Sequence, residues 1–109
     1  MQVTAQNETE KQIVSIMQEM ASMLILKNRD YANASFNQGV VGNVIHLDDK
    51  ITRYKNLVLK QIQDPNHKPS FESIQDTLRD IIGYAAIGVI VLLRTQKNGE
   101  NFLGVKNDK

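Results

Sequence analysis

Three groups of side chains in this chain have types and spacings that chemistry can use. In "HLDDKITR", His46, Lys50 and Arg53 stand at i, i+4 and i+7, so a helix places them on one face. Two cations on a rigid face, one of them a planar guanidinium, suit the oxygens of a phosphate. Asp49, four residues before Arg53, can brace it by an ion pair. The same spacing also fits a solvated helix face laced with weak surface salt bridges. In "KNRDY", Lys27, Arg29, Asp30 and Tyr31 set a phenol ring among cations. Such a ring can stack a base while the cations hold phosphates, or Asp30 and Tyr31 can fix a loop against the fold. The third group is a ladder of carboxylates, Glu72, Asp76 and Asp80, continued by Tyr84. Four-residue steps drift by about 40° on an ideal helix, so the acids spiral along one side. They can hold Mg²⁺ through oxygen ligands and let it bridge phosphates. Equally, they can neutralise Lys50 and Arg53 across a pair of helices.

Other chemistries find no support. The chain has no cysteine, which excludes disulfides and thiolate metal sites. No serine sits in a strand–turn–helix elbow, and no glycine-rich loop follows a strand to cradle phosphates. His67 stands in a proline-flanked loop and His46 is alone on its helix, the usual setting of a structural histidine. A formal net charge of +1 provides no global attraction to long nucleic acid or to membranes, so any anion preference must be local.

The elements that must position these groups are helices. Ile13, Ile16, Met17, Met20, Met23 and Leu24 recur at helical spacing and predict a helix from about Asn7 to Lys27. Glu8 and Glu10 suit its positive end. "NRDYANASFNQG" reads as a loop. Val40, Val44, Leu47, Ile51, Tyr54 and Val58 define a second helix from about Val40 to Ile62, ended by the two prolines of "QDPNHKPS". Ser70 is expected to cap a third helix that runs to about Lys97, where Asn98-Gly99 is a stop signal. "ENFLGVKNDK" reads as a strap ordered at Phe102 and Leu103, with frayed charge after it. No stretch alternates as a strand does, so the expected fold is all-α: three long amphipathic helices in a bundle. One domain is expected over residues 1–109, with its core at about 7–97 and a tail at 98–109. Gly83, Ala85, Ala86 and Gly88 would let another backbone approach the third helix closely, within or between subunits. Three such helices do not enclose themselves, so a homo-oligomer is expected to complete the bundle.

The apolar run Ile81 to Leu93 is shorter than the roughly 18 residues a membrane span needs. "MQVTAQNETEK" lacks the grammar of a signal peptide. A soluble, cytoplasmic protein with no membrane partner is therefore expected. At 41% hydrophobic and 23% charged residues, the composition belongs to a folded domain.

Taken together, "KNRDYANASF", "LDDKITRYKNL" and "ESIQDTLRDIIGYA" resemble the three signature blocks of the nucleotide modification associated domain 1 family, small proteins frequent in phages and prophages. The resemblance spans about Lys27 to Leu92. It implies an all-α domain tied to nucleotide metabolism, located in the host cytoplasm if phage-encoded. It also singles out Asp30, Tyr31, Asp49, Lys50, Arg53, Glu72, Asp76, Asp80 and Tyr84. One departure is visible: where the family tends to have Gly after "DY", Ala32 stands here. A more distant similarity is to the all-α nucleoside triphosphate pyrophosphatases, which hold Mg²⁺ on an E-x-x-E pair and an E-x-x-D pair. This chain has neither spacing: Glu72 to Asp76 is a four-residue step, and the first helix offers only Glu19 near its middle.

The leading functional expectation is capture of a phosphorylated nucleotide in a basic, tyrosine-lined pocket, for example a host immune signalling nucleotide. The expected binding residues are Lys27, Asp30, Tyr31, His46, Asp49, Lys50, Arg53 and Tyr84. A Mg²⁺-dependent nucleoside triphosphate pyrophosphatase is the alternative, with Glu72, Asp76 and Asp80 as metal ligands, and a structural helical adaptor is a third. The cofactor expected is none or Mg²⁺, and long nucleic acid is not expected as a partner.

Overall fold

The computed structural model describes residues 2–64, 66 and 71–106. They form four helices in the order α1 (Glu8–Tyr31), α2 (Ala34–Asn37), α3 (Gly39–Gln63) and α4 (Phe71–Lys97). The fold is all-α, and the one β feature among the described residues is an isolated bridge between Glu100 and Lys106. Among the described residues, no helix is long and apolar enough to cross a membrane. The chain divides into two compact units, Met1–Asn33 and Ala34–Lys109.

In the first unit, α1 starts at a reciprocal cap. The side chain of Asn7 accepts from the Glu10 amide at 2.9 Å, while Glu10 accepts from the Gln6 amide at 3.2 Å. Two amide donors that the helix leaves open are satisfied in this way. The helix runs one turn past Lys27, because "NRDY" holds no Gly or Pro to stop it. Lys27, Arg29, Asp30 and Tyr31 therefore stand on the last turn of a helix, not in a loop. The stop comes at Ala32 and Asn33, both in the left-handed region at φ 48° and 67°. A side-chain hydrogen bond from Asn28 to Asn33, 2.7 Å long, spans this corner.

The second unit begins with α2, a single turn inside the stretch that reads as loop. Gly39, at φ +71°, then turns the chain into α3. An L-residue would be strained there, although open space surrounds the position. α3 and α4 pack against each other, antiparallel, and their facing residues pair in register (below). At its far end α4 closes as a Schellman motif. Gly99, at φ +66°, donates its amide to Gln96 O at 3.2 Å, and the Glu100 amide donates to Thr95 O at 3.1 Å. The Asn-Gly stop is where the sequence places it. The predicted Ser70 cap and the His67 loop lie outside the described residues.

Residues 100–106 fold into a closed turn. The Asn101 amide donates to Val105 O at 2.8 Å, and the Asn101 side chain accepts from the amides of Leu103 and Val105 at 2.9 and 3.0 Å. Phe102 and Leu103 in this segment are 67% and 77% exposed, and the frayed charge expected at the end of the chain lies outside the described residues. The segment displays its apolar pair instead of burying it as a strap.

Candidate functional site: the polar seam between α3 and α4

An apolar stripe on α3 would be expected to face α4. The structure places a polar row against α4 as well. Asn43, His46, Lys50 and Arg53 follow a 3–4 spacing along α3, and their partners run back along α4 from Tyr84, which meets the first two, through Asp80 to Thr77. The Asn43 amide donates to the Tyr84 carbonyl oxygen at 2.7 Å. The His46 ring stacks on Tyr84, with centroids 5.0 Å apart and planes 4° from parallel. One turn on, the Lys50 ammonium lies 3.1 Å from an Asp80 carboxylate oxygen. Arg53 Nε then donates to Thr77 Oγ1 at 3.2 Å. The regular steps are those of a coiled-coil seam, occupied here by polar groups.

Local chemistry in α4 prepares its side of the seam. Thr77 is buried, and its hydroxyl donates to Ser73 O at 2.8 Å, which leaves the oxygen lone pairs for Arg53. Gly88 is buried opposite Asn43. A Cβ there would come within 2.5 Å of Asn43 Oδ1, so glycine makes room for the buried amide. Of the small residues expected to form a close-approach seam, Gly83 and Gly88 are buried while Ala85 is exposed.

The predicted residues distribute as follows. His46, Lys50, Arg53, Asp80 and Tyr84 come together on this seam. Arg53 is anchored by Thr77 and not by Asp49; among the described residues no ion pair joins Asp49 to it. The acid ladder separates. Asp80 meets Lys50, Asp76 is 67% exposed and 3.9 Å from Arg79, and Glu72 is exposed. Among the described residues, no three His, Asp or Glu side chains converge as metal ligands. Lys27, Asp30 and Tyr31 belong to the first unit.

Beside the seam, α3 carries a shallow depression of about 390 Å³ lined by Asp49, Thr52, Arg53, Asn56, Leu57 and Lys60. Lys60 and Asn56 are not among the residues singled out from the sequence. Lys60 was discoverable, since it stands seven residues past Arg53 and continues the face of His46 and Lys50. Asn43 extends the same row backward. Thr77 carried no sequence signal, because only the packing of α4 on α3 brings Arg53 to its oxygen.

The model of the nucleotide modification associated domain 1 family matches residues 27–92, from the last turns of α1 through both helices of the seam. The chain belongs to this family. All the seam residues and the α3 depression fall inside the family match, while α2 and the start of α3 are also covered and the closing turn at 100–106 lies beyond it. No curated protein matches the chain, and no solved structure does.

Proposed function

We propose that the α3 ridge and its seam bind a phosphorylated nucleotide. The observation that carries this reading is the parallel His46–Tyr84 ring pair on the same helix pair as Arg53 and Lys60. Parallel rings are a platform on which a base can stack. Arg53 lies seven residues from His46, about 10 Å along the helix axis, which suits the separation between a base and its outer phosphates. Among the described residues no carboxylate pairs with Arg53 or Lys60, so both cations have charge to give to a phosphate. Lys50 serves differently, since Asp80 already holds it. Asp49, in the same depression, is an acceptor for a sugar hydroxyl. The family's description as nucleotide modification associated supports the ligand class. Capture of a phage–host signalling nucleotide by a cytoplasmic homo-oligomer is the biological form of this proposal.

Calorimetry against nucleoside mono-, di- and triphosphates tests it. Arg53→Ala is expected to weaken binding by about 1.5–3 kcal/mol, the loss of a charge-assisted phosphate contact. Unchanged affinity in a variant with native circular dichroism places the ligand elsewhere. Turnover of a triphosphate with Mg²⁺ that vanishes in Asp76→Asn would make the protein a hydrolase instead.

A further inference from the structure

A second concavity, of about 550 Å³, lies within the second unit at the opposite end of α4 from its acid ladder. Its walls come from α2, the first turn of α3, the last turn of α4 and the turn at 100–106. That volume suits a small organic molecule. Phe36, Val40 and Phe102 line it with apolar surface, and Arg94, Asn98 and Glu100 add polar groups.

Arg94 is the informative residue. Its guanidinium carbon sits 4.8 Å from the centroid of the Phe36 ring. A guanidinium placed over a ring still has N–H donors to offer another group. Among the described residues no carboxylate pairs with Arg94. The surrounding walls are held in place. Gly99 and Glu100 close the helix by backbone hydrogen bonds, and the Asn101 side chain ties down the turn that presents Phe102. Gly39, Val40 and Val41 of the first turn of α3 also line the cavity, and Gln38 places no side-chain cap on that turn, the end of the helix whose partial charge has the same sign as Arg94. Among the described residues Glu100 is the one acid in the lining, an acceptor for a ligand O–H or N–H and a deterrent to a second acidic group.

We infer that this cavity binds a small aromatic acid, its ring against Phe36 and Phe102 and its carboxylate or phosphate on Arg94. The inference is independent of nucleotide binding on the seam, because the two sites share no residue.

Amide-resolved NMR titration of the full chain tests it with benzoate and phenyl phosphate. Benzyl alcohol and inorganic phosphate serve as probes of each half alone. Saturable shifts are expected at the amides of Gly39, Val40, Asn98 and Phe102 with the aromatic acids. Each half-probe is expected to bind at least tenfold more weakly, and Arg94→Gln to weaken the acids at least tenfold. The tighter of benzoate and phenyl phosphate identifies the acid group. Arg94→Lys, which keeps the charge without the planar fork, is expected to lose part of the affinity and covers the case in which Arg94→Gln does not fold. Shifts that do not saturate, that map outside the cavity, or that are unaltered in the Arg94 variants overturn the inference.

Discussion

At the scale of single residues, Ala32 and the Asn43–Gly88 pair show how local geometry constrains side-chain choice. Ala32 adopts φ 48°, ψ 50°, a left-handed conformation that costs an L-residue about 1–2 kcal/mol. α1 ends there with a reversal that glycine makes without strain. Ala32→Gly is therefore expected to stabilise the chain by about 0.5–1 kcal/mol, the relief of strain less the greater freedom of unfolded glycine. A denaturant midpoint that falls in the variant refutes this. At Gly88 two effects oppose each other. Alanine gains about 1 kcal/mol of helix propensity but displaces the buried Asn43 amide from Tyr84 O, leaving a polar group unsatisfied at a cost of about 1–3 kcal/mol. Gly88→Ala is expected to destabilise, whereas in an Asn43→Ala background the same change is expected to stabilise. Equal effects in both backgrounds, measured by urea unfolding, would show that the two residues do not interact.

At the scale of elements, the polar seam makes the register of α3 on α4 specific. A slide by one turn would part the His46–Tyr84 stack and leave both Lys50 and Asp80 without partners. The ion pair is about one-third exposed on each side, 31% and 35%, so its contribution is modest. Asp80→Asn is expected to cost about 1 kcal/mol, since it strands a half-covered ammonium. Glu72→Gln, in the exposed first turn of α4, is expected to stay within about 0.5 kcal/mol of wild type. Thermal unfolding of the two variants side by side checks the order, and a larger loss at Glu72 would contradict it.

At the scale of the whole molecule, the apolar residues of α3 that repeat at helical spacing are only partly covered: Val40, Leu47, Tyr54 and Val58 are half-buried. Val44 and Ile51 remain 58% and 44% exposed, and on α4 Val89 and Leu93 are 58% and 59% exposed. Apolar side chains displayed in rows mark surfaces that associate. Self-association is the expected outcome, a homo-oligomer being the common way for a small chain to cover such rows. Light scattering at micromolar concentration reads it directly, and a stable 12.3 kDa monomer would exclude it.

Much of the fold was legible in the residues alone. The apolar period of 3.6 marked three long helices, Glu8 and Glu10 suited the positive end of α1, and Asn98-Gly99 marked the end of α4, because end charges and stops are local chemistry. The grouping of His46, Lys50 and Arg53 on one face was equally local, since helical spacing alone imposes it. What faces that row was not. Residues one apart on a helix point about 100° apart, so Val44, Leu47 and Ile51 lie next to Asn43, His46 and Lys50, and periodicity defines both faces without saying which one α4 covers. Only packing made the choice. It gave Arg53 to Thr77 instead of Asp49, Lys50 to Asp80 and His46 to Tyr84, and it spread the acid ladder because its 40° drift carries Glu72 and Asp76 away from the seam that Asp80 reaches. The aromatic cavity at Arg94 was decided the same way. Phe36 is far in the chain from Arg94 and Phe102 and shares no periodic pattern with them, so only the closure of α2, α4 and the final turn on one another could bring them together.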